Sequence, residues 1–126
     1  MPLVEIQVLK GRSASEKKAL FDAVHAALMD SLKIPDDDRL QRLVEHDSED
    51  FEVPSATFTI VKVTMFPGRS ETAKRDLYQA LVARLGDLGI PPNDVFIVLE
   101  EPPLEHWGIR GGTPASELQL GLDLNI

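Results

Sequence analysis

The apolar positions change period along the chain, and each change predicts an element. Val4, Ile6 and Val8 alternate with Glu5 and Gln7, the period-two pattern of a strand with one buried face. Leu20, Phe21, Val24, Leu28 and Leu32 then form an apolar stripe of helical period. Ser13 followed by Glu16 is a capping box that starts this helix. Ile34-Pro35 stops it, because a residue before proline avoids the helical region. Leu40 to Glu45 reads as a second strand. A strand–helix–strand crossover within one sheet makes its strands parallel and its turn right-handed.

The pattern then returns. Gly11-Arg12-Ser13 reappears as Gly68-Arg69-Ser70, an offset of 57. At that offset Val61, Val63 and Met65 fall on Val4, Ile6 and Val8, and Leu77, Leu81 and Leu85 fall on Leu20, Val24 and Leu28. Past the helix the offset becomes 56, with Ile90-Pro91 on Ile34-Pro35, Asp94 on Asp38, Phe96 on Leu40 and Leu99 on Leu43. Self-similarity of this length signifies one unit duplicated and fused. The second unit predicts strand over Phe58 to Phe66, helix over Ser70 to Leu88 and strand over Val95 to Glu100, after a polar linker from Asp47 to Ala56. The fold class is α+β: two β-α-β units forming a four-stranded mixed sheet with both helices on one face. Repeat one spans about 2–46, repeat two about 58–101 and a C-terminal arm about 105–126, within one domain over 1–126. The other sheet face, with Leu3, Phe58 and Ile60, is left bare, which predicts an oligomer. The arm is glycine-rich and alternates weakly at Leu118, Leu120, Leu122 and Leu124, as expected of a hairpin or an arm over a neighbouring subunit.

Composition narrows the functions. The 126 residues suffice for one domain with a real core. A net charge of −8 repels phosphate backbones and argues against a nucleic-acid partner. In that acidic background, clustered arginines would make a local positive pocket for a small anionic substrate. Cysteine is absent, which removes disulfides, thiolate zinc sites and cysteine nucleophiles. His25, His46 and His106 are scattered without ligand spacing, so no metal is expected. Gly111-Gly112 lacks the strand-to-helix context of a phosphate loop. No apolar run approaches the roughly 18–20 residues of a membrane span, and no basic segment followed by an apolar stretch opens the chain. The expectation is a cytoplasmic protein without membrane partners.

Pro2 is the first candidate for chemistry. Methionine before a small residue is routinely clipped, which would leave Pro2 with a free secondary amine. A terminal amine titrates at about 7.7–8.0, and burial lowers that value. Such a group serves as a base near neutral pH, or as a cation that polarises a carbonyl. The alternative is that Pro2 merely starts a strand where no ladder donor is needed. If the two units dock antiparallel, Pro2, Asp38 and Arg69 converge on one end of the sheet. An amine, a carboxylate and a guanidinium fit a base, a proton or water handler and an anion anchor. Asp38 also closes the acidic trio Asp36-Asp37-Asp38, which equally suits a solvated turn. Arg69 could decorate a helix start, although a cation there opposes the helix dipole. The opposite end holds Arg12, Asp94 and Thr59, and Thr59 is mid-chain without a free amine. Only one end is therefore expected to be active, with Arg12 and Asp94 structural, as an ion pair or helix-start contacts.

These residues carry a resemblance. PLVEIQVLKGRS resembles the start of 4-oxalocrotonate tautomerase subunits. His106-Trp107-Gly108-Ile109, with Gly111-Gly112 and Ala115-Ser116, resembles their C-terminal arm. Ile34-Pro35 through Asp38-Arg39, followed by Gln41, resembles malonate semialdehyde decarboxylase around its acidic residue. The chain is thus similar to the double-length members of the tautomerase superfamily. The resemblance implies a homotrimer, no cofactor, and Pro2 as catalytic terminal amine. It implies an assisting role for Asp38, substrate-carboxylate binding by Arg69 and a pocket-wall role for Trp107, which could instead be interface packing. Of the decarboxylase's two arginines, the second matches Arg69 and the first falls on Pro67, a departure from the pattern. Arg110, in Trp-Gly-Ile-Arg-Gly-Gly, is the candidate to replace it. The expected activity is keto–enol tautomerisation of a small carboxylate-bearing acid with Pro2 as base. The alternatives are decarboxylation with a cationic Pro2, or a non-catalytic binding role like that of macrophage migration inhibitory factor.

Overall fold

Strand β1, Leu3–Leu9, buries Val4, Ile6 and Val8 and leaves Leu3, Glu5, Gln7 and Leu9 partly exposed, as its alternation requires. The computed structural model describes residues 2–120. Helix α1 follows over Ala14–Leu32. Its capping box forms in both directions: Ser13 Oγ accepts from the Glu16 amide at 3.2 Å, and the Ser13 amide donates to Glu16 Oε1 at 2.9 Å. The helix ends on Lys33, which turns left-handed (φ 57°) and donates its amide to the Met29 carbonyl. Pro35 then keeps Ile34 out of the helix. Strand β2 is Gln41–His46, starting one residue after the expected Leu40.

The second unit repeats this order with strand β3 over Thr59–Thr64, helix α2 over Glu71–Gly86 and strand β4 over Val95–Glu100. Ser70 caps α2 by accepting from the Ala73 amide at 3.1 Å. Strand β3 is shorter at both ends than the expected Phe58 to Phe66, and α2 stops two residues before Leu88. In the linker, a single 3-10 turn at Ser48–Asp50 precedes Phe51, which stacks on His46 with ring centroids 4.5 Å apart.

The four strands form one sheet in the order β2-β1-β3-β4. The outer pairs are parallel and the central β1–β3 pair is antiparallel. Glu5 lies opposite Lys62 in that central pair. These two positions are also equivalent at the repeat offset, so the pseudo-twofold axis passes between them. Pairing of Val4 with Gln41 and of Val61 with Ile97 reproduces the one-residue slip of the repeat. Both helices cover one face, where Leu20, Val24, Leu28, Leu77, Leu81 and Leu85 meet the inward side chains of β1 and β3 in a common core. Each such leucine contributes about 1.5–3 kcal/mol by leaving water. The other face stays open. Leu3, Phe58 and Ile60 are partly exposed on it, and the repeat-equivalent Leu40 and Phe96 are 53% and 54% exposed.

After β4 the chain forms a small hairpin from β5, Gly108–Ile109, and β6, Thr113–Pro114. The Ala115 amide closes it onto the Trp107 carbonyl at 2.9 Å. This agrees with the hairpin expected of the arm. Of the leucines in the expected alternation, Leu118 and Leu120 are partly buried, whereas Leu122 and Leu124 lie outside the described residues.

Candidate active site

Strand polarity gathers the candidate residues. Because β1 and β2 are parallel, they begin at the same end of the sheet, and the Val4 amide bonds the Leu40 carbonyl there at 3.0 Å. Strand β3 runs the other way and finishes at that end, with Leu3 opposite Thr64. Pro2, the turn before β2 and the segment after β3 are thereby brought to one end. Pro2 is buried at the start of β1. Asp38 sits in a turn closed by its own amide donating to the Pro35 carbonyl at 3.1 Å.

A cavity of about 330 Å³ opens there, lined by Pro35, Asp37, Asp38, Phe66, Ile109, Arg110 and Leu120. Of the residues predicted from sequence, Asp38 and Arg110 lie on its wall, whereas Pro2 is not among the lining residues. Arg110 occupies the hairpin tip in the left-handed region (φ 49°), followed by Gly111 and Gly112 at φ 85° and 92°. Two glycines in a row allow this reversal, because no Cβ opposes positive φ. Arg110 Nη1 also reaches the Gln119 carbonyl at 3.4 Å. Trp107 stands one layer back, edge-on to Phe66 at 4.8 Å, with Nε1 donating to the Pro102 carbonyl at 3.1 Å. It backs the wall rather than forming it. Arg69 is only 8% exposed, and its Nη1 donates to the Leu32 carbonyl at 3.2 Å, at the C-terminus of α1. It does not line the cavity. Its placement just before α2, on which the dipole argument turned, is matched by a carbonyl at the favourable end of the other helix.

Sequence reasoning missed the apolar part of the wall. Phe66 reads as the last residue of a strand, Ile109 belongs to a segment too short for a period to develop, and Leu120 reads only as one position of a weak alternation. His25, which the sequence shows only as one of three scattered histidines, is buried on α1 with Nε2 2.9 Å from the Asp36 carbonyl oxygen.

The far end of the sheet is arranged differently. The Thr57 hydroxyl donates to Asp94 Oδ2, and Thr57 and Ser55 together hold the Asp94 carboxyl below the ordinary carboxylate range. Thr59 is fully buried and donates to the Thr57 carbonyl at 2.9 Å. Among the described residues, Arg12 makes no ion pair with Asp94. Its charge acts instead on Glu16, whose pKa is lowered chiefly by the Ser13 cap and further by Arg12.

Two other features carry no chemistry. A surface hollow of about 360 Å³ holds Lys18, Phe21, Asp22, Arg39 and Gln41, but Asp22 bonds both Lys18 and Arg39, at 2.7 and 2.9 Å. These contacts keep the Asp22 carboxyl below its ordinary range. Asp47, Glu49 and Asp50 bring exposed carboxylates within 4.8 Å of one another, and Lys10 pairs with Asp47 at 3.1 Å. No helix among the described residues is long and apolar enough to cross a membrane.

The chain is similar to known proteins over most of its length. A family model described as tautomerase enzyme matches residues 38–110, and a second with the same description matches residues 2–54. The chain belongs to the tautomerase family. The probable tautomerase YusQ of Bacillus subtilis (strain 168) is 26% identical over 121 residues, covering 89% of this chain and 95% of that protein. FG41 malonate semialdehyde decarboxylase, solved after inhibition by 3-bromopropiolate, is 30% identical with a TM-score of 0.81, covering 94% of this chain and 98% of that one. The Q0 fused 4-OT, solved as a symmetric trimer, is 27% identical with a TM-score of 0.81, covering 90% and 96%.

Proposed function

We propose that the protein is a cofactor-free tautomerase that interconverts the keto and enol forms of a small carboxylate-bearing 2-oxo or 2-hydroxy-enoic acid, with Pro2 as general base. Besides family membership, one observation carries this reading. A single cavity has Asp38 and Arg110 on its wall at the end of the sheet where β1 begins. With the initiator methionine removed, the Pro2 nitrogen is a secondary amine. In its neutral form it accepts a proton from the enol hydroxyl, and the resulting ammonium returns that proton to carbon. Arg110 takes the substrate carboxylate, and the buried Arg69 adds positive charge at the same end as negative charge develops on the enolate oxygen. Asp38 orients the substrate or relays the proton. Phe66, with Trp107 behind it, supplies a flat apolar wall.

The likeness to a malonate semialdehyde decarboxylase supports a second reading, in which a protonated Pro2 polarises the carbonyl of a β-keto acid during loss of carbon dioxide. The sign of the pH dependence separates the two. Catalysis by the neutral amine rises with pH through the amine pKa, whereas catalysis by the ammonium falls. We infer further that the whole chain is one domain and that the working form is a homotrimer, as in the fused 4-OT, with the open sheet faces covered by neighbouring copies.

The test is turnover of phenylenolpyruvate, 2-hydroxymuconate and malonate semialdehyde by wild type and Pro2→Ala, after intact mass shows the first residue to be proline. Alanine keeps a terminal amine, but a primary one without the ring that positions it, and is expected to lower kcat by about 10²-fold or more. Retention of the initiator methionine would remove the terminal amine from the mechanism, and full turnover by Pro2→Ala would leave the proline ring without a role in it.

A further inference from the structure

The turn bearing Asp38 is tied to α1 by a group that the proposed chemistry leaves unused. His25 is 3% exposed, and its Nε2 lies 2.9 Å from the Asp36 main-chain oxygen. A carbonyl only accepts, so the hydrogen must sit on Nε2. The Asp36 carboxylate approaches the same nitrogen at 3.6 Å. Nδ1 is buried and finds no hydrogen-bond partner among the described residues. The imidazole is thus oriented by a single hydrogen bond, to the residue two before Asp38. Neighbouring contacts follow the same direction. Arg39 reaches Asp22 at 2.9 Å, and Gln41 Nε2 donates to the Phe21 carbonyl at 2.9 Å. The chain from Asp36 to Gln41 is therefore held along one side of α1.

The duplication provides an internal control. The residue equivalent to His25 in the second unit is Val82, which has no donor. Yet the equivalent turn closes with the same backbone bond, Asp94 amide to Pro91 carbonyl at 2.9 Å. The turn needs no imidazole to form. The tether is present only in the unit whose turn lines the cavity.

We propose that His25 is a positioning residue whose Nε2–H holds the Asp36 carbonyl and so fixes Asp38 at the cavity wall. The inference rests on the proposed function for the part it gives Asp38. His25→Gln and His25→Met are the informative pair, because both side chains are unbranched, similar in length and good helix formers, and only glutamine donates. In His25→Met the Asp38 and Arg39 amides are expected to exchange hydrogen about tenfold faster than in wild type, while His25→Gln stays within about threefold. On a substrate that the wild type turns over, His25→Met is expected to lower kcat about tenfold with little change in KM, and to cost less than about twofold in an Asp38→Asn background. Wild-type NMR should show the Nε2–H tautomer, a measurement that holds even if neither variant folds. An Nδ1–H tautomer, unchanged exchange at Asp38 in His25→Met, or faster exchange with unchanged kcat would each overturn the proposal. Full turnover by Asp38→Asn would instead count against Asp38 in the proposed function, and tautomer and exchange would then decide the tether alone.

Discussion

Two arginines looked alike in the sequence and are used differently in the fold. Arg69 is buried and satisfies the Leu32 carbonyl, so Arg69→Ala is expected to cost about 1–3 kcal/mol by leaving a buried acceptor without its donor, read as a lower urea midpoint. Arg110 sits exposed on the hairpin tip in a conformation that costs a non-glycine residue about 1–2 kcal/mol. That cost makes sense if the side chain is wanted where it is. Arg110→Ala is expected to raise KM for a carboxylate substrate about tenfold or more with little loss of folding stability, since a hydrogen bond to a charged group is worth about 1.5–3 kcal/mol. An unchanged KM would leave the substrate carboxylate without Arg110. The sequence marked both residues because guanidinium chemistry is visible in one letter. It did not distinguish them, because burial depends on the end of α1, 37 residues upstream of Arg69.

The helices and strands were the most legible parts, for a physical reason. Their periods are fixed by backbone geometry, and the repeat displayed each period twice. The ends were less legible. Helix α2 halts at Gly86, and β3 loses Phe58, Met65 and Phe66, because local hydrogen bonds rather than apolar pattern set where an element stops. The hairpin was legible only as a class, since strands of two residues have no period. His25 reads in the sequence only as one of three scattered histidines, because its partner is a main-chain oxygen, which no side-chain pattern reports. The caps lend themselves to direct test. Ser13→Ala removes the hydroxyl half of the α1 capping box, leaves the residue-13 amide to donate to Glu16, and is expected to cost about 1 kcal/mol, measured by urea denaturation. Asp94 tests the far end by pH. Its folded-state pKa is depressed, first by Thr57 and then by Ser55, so it contributes stability above the unfolded value of about 3.9 and loses it as pH falls through the folded value. Asp94→Asn should therefore unfold at lower urea than wild type at pH 7, and the two midpoints should converge as the pH is taken below about 3.9.

For the assembled protein, the open sheet face is the decisive feature. It exposes Phe96 and Val98 beside the partly exposed Leu3 and Ile60, a contiguous apolar surface of the kind that marks an interface. Light scattering is expected to give three times the 13.9 kDa chain mass, and Phe96→Lys to shift the protein toward the single-chain mass. A monomeric wild type would contradict the inferred trimer. The central strand pair has a different bearing on assembly. Glu5 and Lys62 are opposite in register on the pseudo-twofold axis, Glu5 pairing with Arg42 at 2.9 Å and Lys62 with Glu100 at 3.2 Å. Had the first unit been made alone and paired with itself, position 5 would meet its own copy, glutamate against glutamate, a repulsive contact. The second unit with itself would set lysine against lysine. Joining the two in one polypeptide lets unlike charges occupy a spot that strict symmetry would force to be identical.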